Sequence, residues 1–165
     1  MLKLSAPRIV ALACAAFLAA PVTAGATPRR RQVTAVLENA QFLSDAPECL
    51  FRLGFDVVSE SGNHGKAVNC IKSYTGDASL NRALVLVHTT VTFDDGSIEA
   101  DVVEDDANED FPTYSLFHES FSGTVTGGTG KYKNAQGKVL GGGQVKAGEQ
   151  GLYDILSAFV FDLRS

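Results

Sequence analysis

The chain has 165 residues and a formal net charge of −5. That length suits one domain, and an acidic body argues against nucleic acid as a partner, because phosphate binding needs a basic face. No HExxH, CxxC, P-loop or GxSxG pattern occurs, which leaves the common zinc-protease, dithiol, nucleotide and serine-hydrolase signatures without support.

Residues 1–26 read as a secretory signal peptide. Lys3 and Arg8 form a short basic region, and Ile9 to Ala20 is an apolar run of 12 residues. A membrane span takes roughly 20. Ala24-Gly25-Ala26 then supplies a small-x-small cleavage site. The expected location is therefore extracellular or periplasmic, with no membrane span in the remaining chain. Thr27-Pro28-Arg29-Arg30-Arg31 reads as a basic flexible arm, and residues 32–165 as one domain. Cys14 leaves with the leader. Cys49 and Cys70 remain, an even pair in an exported chain, so a disulfide is the expected pairing. The rival is two buried free thiols or a catalytic thiol, for which His64 is the only histidine nearby in sequence to act as base.

The body alternates strand and turn signals. Gln32 to Phe42 is the first predicted strand and Cys49 to Val58 the second. Ser61-Gly62-Asn63-His64-Gly65 turns into a third, Lys66 to Tyr74. Arg82 to Phe93 is the clearest strand, rich in Val, Leu and Thr. Asp94-Asp95-Gly96-Ser97 carries the Asp-Gly hairpin signal, and Ile98 to Glu104 returns. Asp105 to Pro112 reads as an acidic loop. Tyr114 to Thr126, Lys138 to Val145 and Tyr153 to Leu163 complete the set. No stretch after the leader holds a helical period. Eight strands in one small domain predict an all-β fold, an eight-stranded antiparallel barrel whose closure removes sheet edges. Arg82 to Phe93 is apolar in both phases. That pattern predicts a second buried surface, most simply a homo-oligomer interface in a dimer or trimer.

Ten of the sixteen glycines fall between Gly123 and Gly151. Glycine in a strand costs order, so this density needs a backbone reason: a strand, a tight turn, and a second strand that bends. The run Gly128-Thr129-Gly130-Lys131-Tyr132-Lys133-Asn134-Ala135-Gln136-Gly137 resembles the GTGxFxxAxG signature of dirigent proteins and allene oxide cyclase-like barrels. Gly128, Gly130, Tyr132, Ala135 and Gly137 carry the resemblance, and it covers about 20 residues. It implies a calycin-like eight-stranded barrel, often trimeric, with an apolar cavity. It also implies cofactor-free steering of the cyclisation or coupling of a reactive small molecule. The motif is structural, so it places no catalytic residue on this chain.

Candidate chemistry comes from the strands. Glu119 shares a face with Phe117 and Phe121, and a carboxyl in such surroundings has a raised pKa and can donate a proton. His118 points the other way, with Tyr114, Leu116 and Ser120. Glu119 and His118 are the catalytic candidates, and His88, Tyr114, Glu60 and Tyr74 are the ligand-pocket candidates. Nine of the nineteen acidic residues lie between Asp94 and Asp110, which reads as a solvated loop rather than a metal site, because no calcium-loop spacing is present. Two functions fit: a cofactor-free isomerase or cyclase acting on an apolar small molecule, or a non-catalytic exported barrel that binds a ligand or serves a structural role.

Overall fold

The computed structural model describes residues 30–77, 81–108, 116–147 and 153–164. The leader, most of the basic arm and Tyr114 lie outside these residues. The chain forms a closed antiparallel barrel in which β1 to β8 pair in sequence order and β8 returns to β1. The strands are β1 Arg30–Phe42, β2 Phe51–Ser59, β3 His64–Asp77, β4 Arg82–Phe93, β5 Gly96–Asn108, β6 Leu116–Gly128, β7 Gln136–Ala147 and β8 Tyr153–Arg164. A short 3-10 turn, Gly130–Tyr132, joins β6 to β7.

Side chains alternate in and out along each strand, so one phase fills the lumen. On β4 the buried phase is Ala83, Val85, Val87, Thr89, Val91 and Phe93. Leu84 and Leu86 stand on the outer face, exposed. Phe159, Phe161, Leu37, Ile98, Val57 and Val139 are fully buried and fill much of the interior. Phe121 packs on Phe159 with ring centroids 4.9 Å apart, and Phe159 on Phe161 at 5.8 Å.

The up-and-down order gives the barrel two distinct ends. The turn end holds the Asp94–Asp95 hairpin, the Gly130–Tyr132 turn, the start of β1 and the finish of β8. At that end Lys131 N–H donates to the Asp95 carbonyl at 2.9 Å. Gly130 has φ +55°, and a Cβ there would sit 2.2 Å from the Asp95 carbonyl oxygen. Only glycine fits that approach. Tyr132 is buried beneath the turn and meets Phe93, with centroids 6.4 Å apart. The opposite end receives the finish of β5 and the start of β6.

Several strand ends differ from expectation: β3 begins at His64, within the expected turn, and runs to Asp77, because β2 and β4 supply partners there. The first strand begins at Arg30, so Arg30 and Arg31 belong to the sheet rather than to a free arm: they pair with Arg164 and Leu163 of β8. The fifth strand does not stop at Glu104. It continues to Asn108 because β6 supplies partners all the way, Asp105 to Ser120, Asp106 to Glu119 and Asn108 to Phe117. Part of the expected acidic loop is therefore barrel wall.

Cys49 and Cys70 form a disulfide with Cα atoms 5.4 Å apart. It pins the β1–β2 connection onto β3, where Leu50 N–H also donates to the Ile71 carbonyl at 2.7 Å. With a separation of 21 residues, the cross-link is expected to contribute about 3 kcal/mol through the unfolded chain. Urea unfolding with and without dithiothreitol checks this. The midpoint should fall on reduction, and an unchanged midpoint would show that the bridge does not stabilise the barrel.

Candidate functional site

Among the described residues, the buried carboxyl groups gather in the lumen near the opposite end. Glu104 and Asp106 are two residues apart on β5 and so face the same way. Asp106 lies directly across from Glu119 on β6. One oxygen from each of Glu104, Asp106 and Glu119 lies within 4.8 Å of the others. Like charges placed directly opposite across a strand pair oppose folding.

Glycine makes the room. Gly143 of β7 lies between Glu119 on β6 and Ser157 on β8 in the register. A Cβ at Gly143 would meet Ser157 Oγ at 2.2 Å and the Leu156 carbonyl at 2.5 Å. Without that Cβ, Ser157 reaches across and its hydroxyl donates to Glu119 Oε2 at 2.9 Å. Gly141, two residues back, would meet Phe121 at 3.0 Å if it carried a Cβ. The glycine-rich stretch thus clears the lumen beside the carboxylates as well as forming the turn.

A cavity of about 30 Å³ lies among Glu104, Glu119, Ser157, Asn69, Phe121 and Phe159. Asn69 is 6% exposed, and its Oδ1 has no hydrogen-bond partner among the described residues. Asp106 Oδ1 is likewise buried and unpartnered. Buried polar atoms normally find a partner, so these two mark a place where water or a bound group belongs.

Burial governs the protonation of the trio. Glu104 is pushed well above its ordinary value by burial, then by the charges of Glu119 and Asp106. Glu119 is raised to about 7 by burial and by Asp106, against the lowering effect of the Ser157 hydroxyl. Asp106 is raised to about 6 by burial and by Asp105. Protons relieve this charge. A hard divalent cation, which takes carboxylate oxygens at such spacing, is the competing occupant.

The other residues singled out from sequence stand apart from the trio. His118 is on the outer face of β6, its Nε2 2.8 Å from Gln144 Nε2. His88 is also on the outside, with Nδ1 2.7 Å from Asp101. Tyr74 is 60% exposed on the outer face of β3. Glu60 sits at the β2–β3 turn and accepts from the Thr34 N–H. Tyr114 lies outside the described residues. Glu104 and Asp106 were not singled out from sequence. The available signal was phase: Val102, Glu104 and Asp106 continue the alternation of β5, and they face inward with it.

No protein-family model and no curated protein matches the chain. Among solved structures, one described as pyocyanin demethylase aligns at 14% identity with a TM-score of 0.43, covering 82% of this chain and 99% of that one. At that level the likeness bears on neither fold nor function.

The raised carboxyl groups set the sign of the pH dependence. The folded state holds protons that the unfolded chain has already lost between about pH 4.5 and pH 7, so stability falls as pH rises through that window. For Glu119 alone, a shift from 4.5 to about 7 corresponds to a cost on the order of 3 kcal/mol. The melting temperature should be lower near pH 8 than near pH 5, and Glu119→Gln should raise it near pH 8 and flatten the profile. A profile that Glu119→Gln leaves unchanged would show that the trio is not coupled in the folded protein.

Proposed function

We propose that the chain is an exported barrel that binds a largely apolar small molecule and moves a proton on it. Glu119 is the acid–base group, and the reaction class is isomerisation or cyclisation without a cofactor. One observation carries this reading: the Glu119 carboxyl is held in the lumen by Ser157, with aromatic walls beside it and unpartnered polar atoms facing it. A group poised near neutrality gives and takes protons with similar ease, which suits a reaction that removes a proton at one atom and returns it at another. The 30 Å³ cavity takes a reacting group of one or two heavy atoms. The remainder of the ligand would lie toward the end where β5 passes into β6.

Each neighbour then has a role. Ser157 fixes the orientation of Glu119. Burial and Asp106 keep the Glu119 proton from being lost too readily, and Glu104, whose own carboxyl is pushed further up, stands beside it. Asn69 offers an amide oxygen to a donor on the ligand. Phe121 and Phe159 supply apolar surface. Export agrees with the disulfide, which persists in oxidising compartments. The resemblance of the Gly128–Gly137 run to allene oxide cyclase-like and dirigent barrels supports the same class of chemistry. The second reading, a barrel without turnover, is favoured by one finding: large side chains fill much of the lumen.

Native mass spectrometry of the protein purified from its own source identifies the ligand, and turnover of that compound decides between the readings. Glu119→Gln is expected to lower turnover by about 10²–10⁴-fold while the protein stays folded. His118→Ala, on the outer face, should leave turnover within a few-fold. A ligand that the wild-type protein holds unchanged points to a carrier. Calcium that raises the melting temperature near pH 8 in wild type but not in Glu119→Gln, at about millimolar levels, would replace proton transfer with cation binding as the purpose of the trio.

A further inference from the structure

We propose that a groove at the turn end binds a phosphomonoester group, carried by a small soluble molecule or by a lipid headgroup. This inference is independent of the Glu119 reading, because it concerns the other end of the barrel. The groove has a volume of about 450 Å³, within the range of ordinary ligand sites. Arg30, Arg31, Lys131, Lys133 and Arg164 line it. Five of the fourteen Lys and Arg residues therefore converge on one groove of a chain whose net charge is −5.

The topology forces them together. Arg30 on β1 lies directly opposite Arg164 on β8, and Arg164 also lies opposite Gln136 of β7. The turn that carries Lys131 and Lys133 leads into Gln136. Arginines placed opposite one another across a strand pair repel. Among the described residues, the carboxylate partners leave most of this charge unanswered. Lys131 pairs with Asp95, while Arg30, Lys133 and Arg164 have no ion pair. Arg31 lies 5.3 Å from the centroid of the Tyr132 ring and Lys131 Nζ lies 5.0 Å from it.

That arrangement selects the ligand. Guanidinium forks match phosphate oxygens two at a time, and a dianion relieves the repulsion that no described side chain relieves. Nucleic acid is disfavoured: Arg31 and Lys131 already occupy Tyr132, which leaves no aromatic platform for a base. The recognised group is the phosphate itself, and the groove leaves space for a small substituent.

The test has two arms. Inorganic phosphate is titrated calorimetrically into the purified protein at low ionic strength, against matched chloride. In parallel, the protein is co-sedimented with phosphatidylcholine vesicles with and without phosphatidic acid. The expected result is one phosphate per chain, weakened by added salt, and weakened about tenfold or more in the double variant Arg30→Gln/Arg164→Gln. Lys133→Gln, on the turn rather than in the β1–β8 seam, should weaken binding even if the double variant folds poorly. Glu119→Gln should bind phosphate as wild type does. Loss of phosphate binding in the variants supports the proposal with a soluble ligand. Loss confined to the phosphatidic acid vesicles supports it with a lipid headgroup. No binding in either arm, or binding that both folded variants retain, overturns it.

Discussion

The seam between β1 and β8 is the constraint on which the rest of the structure depends. Eight pairings, from Arg30 with Arg164 to Leu37 with Ser157, close the sheet. Once closed, each strand has one face inside and one outside, with no freedom to slip by a residue without turning its apolar set outward. Val33, Ala35 and Leu37 of β1 and Phe159, Phe161 and Leu163 of β8 are buried together by that register. The same register sends Ser157 inward, beside Gly143, and so toward Glu119. The site is a consequence of closure rather than an addition to it.

Closure also explains why acidic residues end up in an apolar lumen. The inward phase of β5 contains Ile98, Ala100 and Val102, and then Glu104 and Asp106. The pairing with β6 is strong enough over this length to carry the carboxylates into the wall with it. A few unfavourable contacts survive when the surrounding register over-determines them, and such places are where function is commonly found. Here the cost is concentrated in three carboxyl groups and is relieved by protonation.

Much of the fold was legible in the sequence, because strands, turns and glycines leave local marks. Arg82–Phe93 matches its predicted bounds, and the Asp94–Asp95 hairpin stands where the Asp-Gly signal placed it. The disulfide likewise follows from an even cysteine pair. The site was legible only in part. Glu119 shares its phase with Phe117 and Phe121, but sequence does not say which phase is inside when both are rich in apolar residues. On β4, Leu84 and Leu86 are as apolar as Val85 and Val87, and only the register puts the second pair in the lumen. Asp106 was hidden for a different reason. A run of acidic residues looks solvated, and only its partner strand shows that alternate members point inward. Arg30 and Arg31 were hidden in the same way, since their place in β1 depends on β8, at the far end of the chain.

The glycine-rich motif and the carboxylates occupy opposite ends of one lumen, and this separation follows from what the motif does. Gly130 permits the tight approach to Asp95, and the turn then drives Tyr132 inward beside Phe93. Arg31, the first inward-phase residue of β1, lies over the Tyr132 ring. Tyr132 therefore acts as a plug. Glu104, Asp106 and Glu119 stand toward the other end. The motif also leaves cations gathered on the outside of the plug, where solvent and other molecules meet them first. One short turn thus helps give the barrel two chemically opposed ends, one with carboxyl groups in the lumen, the other with cations gathered on its outside.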